Sequence, residues 1–88
     1  MQNRMLEEKT FSTQFGKDMK RARREQGMTQ NELAVQMQLL GLDVSASRVQ
    51  KLETGALRMN INEMLIISYL LLMDLNSRAA IYAGATKI

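Results

Sequence analysis

The chain has 88 residues with no cysteine, histidine or proline, and its 12 basic and 9 acidic residues leave a net charge of +3. A chain this short forms one domain around a thin core; it can hold no disulfide or thiolate metal site, and it lacks the usual general base, metal ligand and physiological pH switch. An enzyme is therefore not expected, no cofactor or metal-ligand set is visible, and stability must come from helical packing or oligomerisation.

Residues 1–10 are polar and mixed in charge, with no apolar stretch of signal-peptide type. They read as a flexible N-terminal arm ahead of a single domain over 11–88. The first helix is expected from about Thr13 to Gln26, with Phe15, Met19 and Ala22 on one face. Lys17, Lys20, Arg21 and Arg24 lie mostly around the other face. Together with Arg23 they are five of the basic residues, leaving seven basic against eight acidic outside the 17–24 block. Such a block suits a polyanion; the bland alternative is a solvated helix face.

Gly27 is placed to end this helix in the left-handed conformation. Thr29 and Glu32 then form a capping box, with Met28 and Leu33 as its hydrophobic staple. Leu33, Ala34 and Met37 give the buried stripe of the second helix, Leu40 is next in the series, and Gly41 closes it. Ser45 caps a third helix from about Ala46 to Thr54, with Val49 and Leu52 inward and Gly55 at its end. Asn60 and Glu63 repeat the capping box, with Met59 and Met64 as staple, for a fourth helix reaching about Met73. A short fifth helix is expected from Asn76 or Ser77 through Ala83. The fold class is all-α, a compact bundle of about five short helices. The eight methionines either fill gaps in a small core or form an adaptable contact surface.

Thr29 to Gly55 reads as two short helices joined by a turn, the arrangement by which one helix braces on a DNA backbone while the next reaches base edges. Ala46 and Ser47 are small enough to let the third helix sit deep in a major groove. Ala46 can pack on a thymine methyl, Ser47 can donate or accept, and Arg48 or Lys51 can read guanine O6 and N7. The alternative for Arg48 and Lys51 is that they only neutralise phosphate, which supplies affinity and register but not sequence. Lys17, Lys20, Arg21 and Arg24 are the expected phosphate contacts upstream.

The order of helix, Gly, Thr29-Gln30-Asn31-Glu32-Leu33-Ala34, turn, and Ser45 through Gly55 resembles the phage repressor and Cro family of helix-turn-helix regulators, the XRE family. The resemblance covers about Phe15 to Leu75. It implies a lambda-repressor-like DNA-binding domain, with Gln30 touching phosphate and bracing the reading helix. It places Ser45, Ala46 and Ser47 at base edges and brings Lys51 to the groove. It pairs Glu53 with Arg23, and it puts Thr54 and Arg58 on phosphate. The chain departs from the family between Gln38 and Val44, where it is several residues longer than the usual turn: either the second helix gains a turn or the loop is wider.

The fourth helix carries more apolar surface than one buried face needs. Met64, Ile67 and Leu71 make a stripe, and Leu65, Ile66, Tyr69, Leu70, Leu72 and Met73 cover much of the rest. A homodimer through this helix and the C-terminal segment would bury the surplus; the alternative is cover by the arm and last helix of the same chain. Met64–Met73 is the longest apolar run and too short to span a bilayer, so a soluble, cytoplasmic protein without membrane association is expected. The function expected is a sequence-specific, double-stranded DNA-binding transcriptional regulator, a dimeric repressor of its own or a neighbouring promoter, reading an inverted repeat. A toxin-binding antitoxin, a restriction–modification controller and a phage anti-defence-associated repressor fit the same residues, the first with a toxin as protein partner. From another class, a protein-interaction adaptor without DNA binding is the alternative.

Overall fold

Helix boundaries in this chain follow its capping residues. The computed structural model describes residues 2–74 and Ser77, with side chains for 12–74 and 77. Its elements are α1 (Gln2–Glu25), α2 (Gln30–Leu39), α3 (Ala46–Thr54) and α4 (Ile61–Leu70), with no strand among the described residues. The capping boxes of α2 and α4 are both closed. Thr29 Oγ1 accepts from the Glu32 amide at 3.0 Å while the Thr29 amide donates to Glu32 Oε1 at 2.8 Å. Asn60 and Glu63 make the same reciprocal pair at 2.8 and 3.0 Å. Ser45 Oγ caps α3 by accepting from the Arg48 amide at 3.1 Å. Each of these bonds satisfies a donor that a helix start leaves without an intrahelical partner.

The helix ends share one geometry. After α1, α2 and α4 the chain passes through a left-handed residue, and the next amide reaches back to a carbonyl of the last turn. These amide bonds are Met28 to Arg23 at 3.1 Å, Leu42 to Met37 at 3.1 Å and Met73 to Ser68 at 2.8 Å. The left-handed residue is Gly27 in the first case and Gly41 in the second, but Leu72, at φ 58°, in the third. A β-carbon in this conformation costs on the order of 1–2 kcal/mol, so α4 ends under strain that the other two ends avoid.

α1, α2, α3 and α4 meet over a core of Phe15, Met19, Leu33, Ala34, Met37, Val49, Leu52, Ile67 and Leu71, joined by Val44 and Met59 from the connections. Burying each large apolar side chain is worth about 1.5–3 kcal/mol. α1 lies against α3 with Gly16 at the contact. All six methionines with described side chains are buried or packed against this core, so methionine here fills space. Two longer polar ties hold the connections: Gln26 Nε2 donates to the Leu71 carbonyl at 3.0 Å and Gln38 Nε2 to the Val44 carbonyl at 2.8 Å.

Several boundaries differ from expectation. α1 begins at Gln2, so residues 2–10, expected as an arm, are helical; no glycine or proline precedes Gly16, and nothing local stops the helix. α2 runs to Leu39 with Leu40 as its C-cap, so part of the long segment between Gln38 and Val44 is helix. Leu40 is exposed and does not continue the buried stripe. α4 stops at Leu70, short of Met73. The fifth helix expected from Asn76 or Ser77 lies outside the described residues except for Ser77.

Candidate nucleic-acid interface

α3 is fixed from below by a buried polar cluster. Arg23 of α1 donates through Nε and Nη2 to the two carboxylate oxygens of Glu53 at 2.6 and 3.0 Å. The Glu53 side chain is 0% exposed and that of Arg23 7%. Arg23 Nη1 also donates to the Met28 carbonyl at 2.7 Å, and Gln30 Nε2 donates to Glu53 Oε1 at 3.0 Å. The expected Arg23–Glu53 pair is thus part of a four-bond knot joining α1, the turn after it, the start of α2 and the end of α3. A buried carboxylate is tolerable only when so fully bonded. Gln30, expected on phosphate, spends one of its amide hydrogens on this knot.

With Val49, Leu52 and Glu53 turned inward, α3 presents the opposite side to solvent. Ser47, Gln50, Lys51 and Thr54 are exposed there, at i, i+3, i+4 and i+7, a single stripe roughly 100° wide on a 3.6-residue helix. Ser45, at the N-cap, is exposed, and Ala46 is half-buried at the stripe's edge. The stripe combines small residues at its start with an amide and a cation farther along, the residue types that read base edges. Gln50 was missed in the sequence reading, although its spacing of three from Ser47 places it there.

Arg48 is engaged by a carboxylate on α4. It was expected at a base edge, but its guanidinium is turned across to α4, where Nε and Nη2 both bond the Glu63 carboxylate, the second at 3.1 Å. Glu63 is buried and Arg48 about two-thirds so. Glu63 raises the Arg48 pKa above its ordinary value, first through the hydrogen bond and then by its charge, against an opposing desolvation. Read along the chain, Glu63 has only a capping role, because nothing local links it to a residue on the preceding helix.

Basic side chains gather on α1. Lys17, Arg21 and Arg24 are exposed and Lys20 half-buried. One open groove is lined by Lys17, Lys20, Arg21 and Arg24 together with the acidic Glu25. A second continues from Lys20 and Arg24 past Gly27 and Thr29 to Gln30 at the start of α2. Arg21 pairs with Asp18 at 3.4 Å, which lowers its share of the positive field. Thr54 and Arg58 are exposed at and beyond the end of α3. Among the described residues no group of acidic side chains could hold a metal ion.

α4 divides the residues expected to be surplus. Leu65, Tyr69 and Leu72 are exposed, the last two at 71% and 87%, while Ile66, Leu70 and Met73 are half-buried against the chain's own core. Ile61, not expected on this surface, is also exposed. Ile61, Leu65 and Tyr69 follow one another at four-residue intervals down one side of α4. No described helix is long and apolar enough to cross a membrane. No family model matches the chain, and neither curated proteins nor solved structures provide a match.

Proposed function

We propose that this chain binds double-stranded DNA in a sequence-specific manner through α3 and acts as a transcriptional regulator. The observation that carries this reading is the α3 stripe of Ser47, Gln50, Lys51 and Thr54, exposed on a helix whose far side is locked by the Arg23–Glu53–Gln30 knot. A base-reading helix needs that combination, because direct readout requires donors and acceptors held in fixed position on a rigid element. The basic edge of Lys17, Lys20 and Arg24 supports it, since phosphate contacts supply the affinity that base contacts cannot.

The exposed apolar line of Ile61, Leu65 and Tyr69, with Leu72 beyond it, supports a homodimer. A two-fold dimer demands an inverted-repeat site, and reading successive major-groove turns requires its two α3 helices to stand about 34 Å apart. Occupying a promoter excludes polymerase, so repression is the outcome that requires no further contact. The test is a salt titration of duplex binding for the wild type and for Lys20→Ala and Arg24→Ala. Binding should fall steeply with salt, and each substitution should weaken all sequences alike while making the logarithmic salt slope shallower by about 0.9. Binding that ignores salt, or no binding in low salt, overturns the proposal.

A further inference from the structure

We infer that Glu63 is a positioning residue that holds Arg48 of the reading helix away from DNA, and so keeps recognition on Ser47, Gln50 and Lys51. The inference rests on the DNA-binding reading above. Arg48 directly follows Ser47 and lies three residues before Lys51, at the margin of the exposed stripe, where a long cation has both the reach and the charge to take a phosphate. Its side chain instead crosses to α4 and closes a two-point bond on a buried carboxylate.

The clamp is not needed to start α4. Glu32 does the same capping work at the start of α2, with the same reciprocal bonds to Thr29, and among the bonds described no arginine is attached to it. In α4 the Asn60 amide uses only Glu63 Oε1, at 3.0 Å; Arg48 Nη2 shares that oxygen at 3.1 Å, and Arg48 Nε takes Oε2. An arginine released at the groove would add a phosphate contact on every sequence, raising non-specific binding without adding discrimination. Clamping it removes that contribution, and the two-point geometry is the one that arginine and carboxylate favour.

The experiment measures binding of a random-sequence duplex from low to moderate salt, with circular dichroism to show that each variant is folded. Glu63→Gln keeps Oε1 for the Asn60 amide and Arg48 Nη2, but it removes the negative charge and presents an NH2 group to Arg48 Nε. It should bind several-fold tighter, with a logarithmic salt slope steeper by about 0.9, one more phosphate neutralised. The gain should vanish in Glu63→Gln/Arg48→Ala. Glu32→Gln, which makes the same charge change at the equivalent cap, should leave the slope unchanged. Folded Arg48→Ala should also leave it unchanged, because a clamped Arg48 makes no phosphate contact to lose, and this arm can overturn the inference even where Glu63→Gln fails to fold. An unchanged slope in folded Glu63→Gln, a gain that survives in the double variant, an equal gain in Glu32→Gln, or a shallower slope in Arg48→Ala overturns the inference while leaving DNA binding intact. A wild type that binds no duplex overturns both.

Discussion

Gly16 of α1 rests on the backbone of Leu52 in α3: a β-carbon at Gly16 would stand 2.4 Å from the Leu52 carbonyl oxygen and 3.1 Å from that of Glu53. The obstacle is backbone, which cannot swing aside. Gly16→Ala must push α1 away from α3 despite alanine's higher helix propensity. A loss of about 1–3 kcal/mol is expected by urea denaturation. A variant as stable as the wild type would show that the two helices do not approach this closely.

Glu53→Ala strands Arg23 and Gln30 together. Removing one partner of a buried ion pair costs about 3–5 kcal/mol because the remaining charge stays desolvated. That is a large part of the stability of a small domain, so the variant should melt far below the wild type or be unfolded at room temperature. A shift under about 1 kcal/mol, the size of an exposed pair, would mean the carboxylate is not buried as described.

Ser68 presents the opposite case. Its Oγ is buried on α4 with no hydrogen-bond partner among the described residues, and an unsatisfied buried hydroxyl costs roughly 1–3 kcal/mol. Ser68→Ala removes the hydroxyl and favours the helix. Thermal unfolding should show a stability gain of up to about 1 kcal/mol; a clear loss would reveal a partner for the hydroxyl.

The parts of this molecule governed by neighbours in sequence were legible from the residues alone. The Thr29–Glu32 and Asn60–Glu63 boxes, the glycines after α1, α2 and α3, and the inward positions of Phe15, Met19, Leu33, Met37, Val49 and Leu52 all depend on spacing within one helix. What depends on how helices meet was not legible in that way. Gly16 gives no local signal, because its reason is the carbonyl of Leu52. Arg48 looks like a reading residue until Glu63, on another helix, is seen to hold it. Arg23–Glu53 was reached only through family resemblance, since no local rule connects residues so far apart.

Leu72 separates folding from association. It takes the left-handed position that glycine takes after α1 and α2, and its side chain is almost wholly exposed. Leu72→Gly should relieve about 1 kcal/mol of backbone strain and raise the melting temperature at low concentration. If Leu72 lies in the dimer contact, the same variant should self-associate more weakly by sedimentation at tens of micromolar. Unchanged association would place the contact elsewhere on α4 or argue against a dimer.

The pH response follows from composition. The chain has no histidine or cysteine, and so no side chain whose ordinary pKa falls between about 5 and 8. Arg48 is raised by Glu63. A group with a raised folded value contributes its full stabilisation below the unfolded value and loses it only as pH climbs through the folded one. For a guanidinium that window lies far above neutrality. Melting temperature and DNA affinity should therefore be flat between about pH 6 and 8, and a marked slope in either would point to a carboxylate or amine titrating out of its normal range.

Selection from a random duplex pool shows whether the exposed side of α3 reads sequence. The wild type should enrich one motif with inverted-repeat symmetry. Gln50→Ala and Lys51→Ala should each enrich a motif altered at the matching position of both half-sites, while Lys20→Ala should enrich the wild-type motif with lower yield. Failure to enrich any motif, or the same motif from the wild type and both α3 variants, would contradict the account.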